Sequence, residues 1–132
     1  IMELKEALVN IFKSAKDKFG LQKVPKLYLR NDSENAKGIF GKTAYYDPID
    51  MSVVLYITNR HPKDICRSFA HELIHHHQNE RGDLEMGDAS QPTYAQDDPH
   101  MRKMEMEAYL KGNLLFRDWE DWFKNYKQTN QN

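Results

Sequence analysis

His71-Glu72-Leu73-Ile74-His75 sets two imidazoles four residues apart, with a glutamate directly after the first. On a helix, residues i and i+4 lie one turn apart on the same face. Two ring nitrogens placed so can share one metal ion, and zinc at tetrahedral geometry favours such donors. Glu72 lies about 100° around the helix. That is too far to ligate, but well placed beside a water activated by the ion. Its role would be to take a proton from that water and return it to a leaving amine.

The surrounding residues support this placement. Counted around the helix, Cys66, Phe69, Ala70, Leu73 and Ile74 form one broad apolar side, and His71 and His75 fall opposite it, toward a cleft. His77 falls within the apolar side and reads as a core histidine. His76 lies near Glu72 and is expected to be solvated, with substrate contact the rival role. Cys66 reads as a small buried hydrophobe.

Two histidines leave a catalytic zinc site one protein ligand short, with a fourth place for water. A histidine or aspartate six residues after the motif would complete it, but that position is Arg81. A later helix offers Glu105 and Glu107, which are two apart and cannot both face one ion. Its apolar face is defined by Met101, Ala108, Gly112, Leu115, Trp119, Phe123 and Tyr126, with Glu105 inside it and Glu107 outside. An unpaired buried carboxylate is costly, and a metal would neutralise it. Ala108 and Gly112 on the same face would let this helix approach the metal helix closely. Glu105 is therefore the expected third ligand, with His100 and Glu107 as rivals. Asp97 or Asp98 would support a ligating histidine.

The elements that must position these groups follow from the rest of the chain. At 132 residues and 15.6 kDa it has the size of one domain, 1–132. Leu4, Leu8, Ile11, Phe12, Ala15 and Phe19 share a helical face that Gly20 ends, giving an N-terminal helical unit over 1–23. Strands are expected at Val24–Leu29, Gly38–Tyr46 and Met51–Thr58, within 24–60, the last being dense in β-branched residues. Pro62 opens the metal helix, within 61–81. A long loop over 82–98 would shape the cleft, and a last helix spans 99–126, leaving a tail that frays. The fold class is α+β: helix, small three-stranded twisted sheet, metal helix, loop, helix.

Composition narrows the partners. Nineteen Lys+Arg against 20 Asp+Glu give a net charge of -1, which argues against duplex nucleic acid or an anionic membrane as the main partner. No apolar run approaches the roughly 20 residues of a membrane span, and the start carries no signal-like segment. A cytoplasmic setting is expected. A single cysteine, Cys66, excludes a multi-thiolate zinc site.

His71-Glu72-Leu73-Ile74-His75, followed some thirty residues on by Glu105-Met106-Glu107-Ala108, resembles the glutamate-zincins, or gluzincins, a clan of zinc metallopeptidases. Arg67-Ser68-Phe69-Ala70 before the motif is also similar to small SprT-like and ImmA/IrrE-like domains. The likeness spans residues 24–116, though only the two short motifs are specific. It implies a zincin-like fold, a Zn2+ cofactor, Glu72 as general base, and Glu105 as the third ligand at the head of an E-x-x-A segment. It also implies that Gly38–Tyr46 rims the cleft, with Gly41, Lys42, Thr43 and Ala44 pairing to an extended peptide substrate. Two departures stand out. Tyr109 occupies a position where many relatives carry Asp or Asn, and SprT-like domains take a third histidine, a role His100 could fill. Tyr94, Tyr109 and His76 are the candidates for stabilising the transition state.

The leading expectation is a zinc metallopeptidase acting on a peptide or protein, as a monomer or weak dimer. Leu110 and Leu114, outside the main apolar face of the last helix, hint at such a second contact. The alternatives are a zinc-binding regulatory module with little turnover, or a zinc amidase on a non-peptide bond. A deformylase is excluded, since its cysteine ligand comes from another segment and Cys66 lies on the metal helix itself.

Overall fold

The structure, a computed structural model, describes residues 3–32, 43–84 and 98–130, with the side chains of 128–130 excepted. The element order is α1 (Leu4–Phe19), β1 (Lys26–Arg30), β2 (Ala44–Asp47), β3 (Ser52–Tyr56), α2 (Pro62–Glu80) and α3 (Pro99–Asn130). This is the expected α+β order, with shifted bounds. β1 begins at Lys26 instead of Val24, because Val24 is exposed and Lys26 is the first residue paired to β3. β2 ends at Asp47, and the expected strand residues 38–42 lie outside the described residues, as do Tyr94, Asp97 and most of the long loop. α3 continues past Tyr126 to Asn130, where a fraying tail was expected.

α1 buries Ala7, Leu8, Ile11 and Ala15, and ends at Gly20. Gly20 adopts the left-handed conformation at φ 69°, and its N–H donates to the Lys16 carbonyl at 2.8 Å. β3 is central in the sheet, parallel to β1 and antiparallel to β2, with Val53 paired to Leu27 and to Tyr46. The short turn into β3 is held by the Asp47 carboxylate, which accepts from the backbone of Ile49 and Asp50 at 2.9 and 3.1 Å.

α2 starts at Pro62, and the His61 ring accepts from the Lys63 backbone at 3.0 Å. Arg60 fastens this start to the sheet. Its guanidinium donates to the carbonyls of Thr43 and Tyr56 at 3.0 and 3.1 Å, and to Asp64 O and Ser68 Oγ at 3.1 and 3.0 Å. α2 packs against α1, α3, β2 and β3, so the histidine motif rides on the element that the rest surrounds. Ile65, Cys66, Phe69, Ala70, Leu73 and Ile74 turn into the core. No described helix is long and apolar enough to cross a membrane.

α3 lays Met101, Met104, Ala108, Leu115, Phe116 and Trp119 into the same core. Of the expected apolar face, Trp119 is buried and stacks on Phe123, whereas Tyr126 is exposed and stacks on Phe123 and on the exposed Trp122. Leu110 and Leu114 are exposed, since this chain packs only the opposite face of α3.

The two helices meet most closely at Gly112. A Cβ there would lie 2.9 Å from the Cα and 3.2 Å from the N of His71. Those are backbone atoms and cannot swing aside. Gly112→Ala gains about 1 kcal/mol of helix propensity, yet it must push two helices apart. A net loss of about 1–2 kcal/mol is expected, measured from the urea midpoint at constant m value; a gain in stability would show that the contact has slack.

Candidate metal centre

His71 and His75 emerge on one face of α2 with ring centroids 5.0 Å apart, edge to face. Glu105 reaches between them from α3. One carboxylate oxygen lies 2.8 Å from His75 Nε2 and the other 3.4 Å from His71 Nε2. The three residues offer donor atoms that all lie within 4.8 Å of one another, a group that could hold a metal ion. A tetrahedral ion at about 2.1 Å from each donor spaces them about 3.4 Å apart. The two imidazole–carboxylate separations, 2.8 and 3.4 Å, lie at or just below that spacing, and two imidazoles with one carboxylate make a donor set suited to zinc.

The rival ligands are occupied elsewhere. Glu107 accepts from Arg81 at 2.7 and 3.2 Å, from Lys111 at 2.9 Å and from Gln78 at 2.8 Å. His100 Nε2 bonds the Asp83 carbonyl at 2.8 Å. Asp98 caps α3, accepting from the His100 backbone at 2.9 Å, so it supports no ligand. Glu105 is not buried in the core, as its place on the apolar face suggested. Its side chain is 42% exposed.

Glu72 is buried beside this group. Burial pushes its pKa up, and the neighbouring imidazoles of His75 and His71 only partly offset that. For His75, burial works to lower the pKa, but the hydrogen bond to Glu105 and the charges of Glu72 and Glu105 outweigh it and raise it to about 9. For Glu105, burial works upward, and the hydrogen bonds from His71 and His75 overcome it, holding the carboxyl well below the usual range. Arg81 does the same for Glu107, against burial and with help from Lys111 and Gln78.

Tyr109 stands next to the centre, its ring 5.4 Å from that of His71 and edge-on to it. Thr43 turns inward, its carbonyl accepting from Tyr56 N at 3.1 Å and from Arg60. Of the four rim residues this one is therefore engaged with the protein itself. Ala44 opens β2, an edge strand among the described residues, and Gly41 and Lys42 lie outside them.

His76 is neither solvated nor in the cleft. It is fully buried, with Nδ1 2.7 Å from Tyr46 Oη and Nε2 2.8 Å from the Lys23 carbonyl. Around it Asn79 donates to Tyr46 Oη and Pro48 O, both at 3.0 Å, and Glu80 accepts from the backbone of Gln22 and Lys23. This network ties the start of β1 and the end of β2 to α2. His77 is half-buried and stacks on Phe19 at 5.1 Å. Gln78 escaped sequence reasoning: it accepts from His75 Nδ1 at 2.8 Å. The only available signal was its spacing, three residues after His75 and hence on the same helix face.

No protein family, curated protein or solved structure matches this chain.

The His75–Glu105 contact gives a signed pH dependence. The His75 pKa is raised, so the contribution to stability is complete below its ordinary 6.5 and lost as pH rises through about 9. The lowered Glu105 pKa preserves the contact on the acid side to below the usual carboxylate range. Chelator-treated protein should lose thermal stability between pH 6.5 and 9, and Glu105→Gln should abolish that component. Calorimetric melts that are flat with pH, or equal in the variant, would contradict the assignment.

Proposed function

We propose that this chain is a zinc-dependent peptidase, a minimal zincin of the gluzincin kind, cleaving a peptide or protein substrate. One observation carries the reading: Glu105, far away in sequence, brings its carboxylate to the two motif imidazoles while Glu72 sits buried next to them. A purely structural ion pair has no need of that second, buried carboxyl.

His71, His75 and Glu105 would hold the ion, which when bound polarises the scissile carbonyl and lowers the pKa of water. Glu72 is the general base. Burial raises its proton affinity, which suits a base that takes a proton from the attacking water and passes it to the leaving amine. The low-dielectric setting that raises this pKa also strengthens each charge interaction around the reacting atoms. Tyr109, edge-on to His71, is the described side chain best placed to meet the developing oxyanion. Substrate backbone would pair with the outer edge of β2. Thr43 bonds inward to Tyr56, so the antiparallel alternation turns Ala44's own backbone groups away from β3.

Zinc-loaded wild type incubated with a peptide library, read by mass spectrometry, should yield cleavage products. Glu72→Gln should bind zinc equally well and lose about 100- to 10,000-fold in turnover. Stoichiometric zinc with no cleavage of any peptide would overturn the peptidase reading and leave a metal-binding module.

A further inference from the structure

Gln78 is fully buried, and every hydrogen on its amide is committed. Nε2 donates to the Met104 carbonyl at 2.9 Å and to Glu107 Oε1 at 2.8 Å. Both partners are acceptors only, so flipping the amide would set its oxygen against a carbonyl and a carboxylate. The flip is forbidden, and Oε1 must face His75 Nδ1, 2.8 Å away. An amide oxygen can only accept. Nδ1 therefore carries a proton, and Nε2 is the nitrogen presented to Glu105 and to any ion between them.

The orientation of Gln78 is itself braced. Glu107 is gripped by the guanidinium of Arg81 through two bonds and by Lys111 through a third. Arg81 is fixed in turn by Asp83 at 2.7 Å. Met104 and Glu107 lie on either side of Glu105 in α3, so one amide spans from the ligand on α2 to the Met104 carbonyl and the Glu107 carboxylate beside the ligand on α3.

We propose that Gln78 is a positioning residue for the metal centre, selecting the Nδ1–H tautomer of His75 and fixing its ring plane, with Glu107 and Arg81 as its brace. The inference rests on the metal-binding half of the proposed function and is independent of peptidase activity. Free imidazole interchanges its tautomers and its ring rotates; here both freedoms are removed before an ion arrives. Losing such a partner characteristically weakens metal affinity about 10- to 100-fold.

Zinc affinity, measured by competition with a chromophoric chelator, should fall by about that factor in Gln78→Met. Zinc-loaded wild type labelled with 15N should show a slowly exchanging Nδ1–H proton on His75. Gln78→Met removes the acceptor under the ring and should lose that slow exchange. A merely structural role would lower the melting temperature of the ion-free variant and leave its zinc affinity unchanged; that result overturns the proposal. So does a wild type whose His75 Nδ1–H exchanges freely, a reading that needs no variant to fold. Wild type that takes up no zinc overturns the metal centre and this inference together. Wild-type binding matched by Gln78→Met overturns the inference alone.

Discussion

Glu105 reaches two imidazoles on another helix because α2 and α3 run almost backbone to backbone where Gly112 faces His71. Everything in the candidate centre depends on that approach. A carboxylate side chain spans only a few ångströms, so an ordinary interaxial distance of 8–10 Å with large side chains between would leave it short. Ala108, fully buried, and Gly112 clear the contact on the face that carries Glu105. The same two helices are tied again by Gln78 and Arg81, which both bond Glu107 on α3, where Lys111 also holds that carboxylate.

The charges explain why such an arrangement needs an ion or protons. Glu72 and Glu105 lie beside His71 and His75 in a partly desolvated pocket, and burying charge without compensation is expensive. Without a cation, a proton on His75 supplies the balance, and its pKa rises to about 9 accordingly. A divalent cation would replace that proton and take the Nε2 lone pair. Proton and metal therefore compete for one seat, and the braced amide behind His75 determines which nitrogen they compete for.

Much of this was legible in the chain. Spacing alone placed His71 and His75 on one face, and the wheel of the last helix selected Glu105 over Glu107 because only the former shares a face with Ala108 and Gly112. The small residues also predicted the close approach. What stayed hidden depends on partners from other elements. A wheel gives an angle around an axis, not what stands opposite, so His76 read as solvated although Tyr46 and Lys23 enclose it. Gln78 looked like one polar residue among several until α3 supplied the Met104 carbonyl and Glu107. Thr43 belonged to a strand pattern, and only its partners on β3 and before α2, Tyr56 and Arg60, revealed where its carbonyl is spent.

The most direct test of the central claim is a crystal structure of the zinc-loaded protein with anomalous data collected on both sides of the zinc edge. The account predicts a single strong anomalous peak about 2.0–2.2 Å from His71 Nε2, His75 Nε2 and a Glu105 oxygen, with Glu107 still on Arg81. A zinc peak bound by Glu107 or His100, or no peak between the two imidazoles in protein shown to contain zinc, would contradict it.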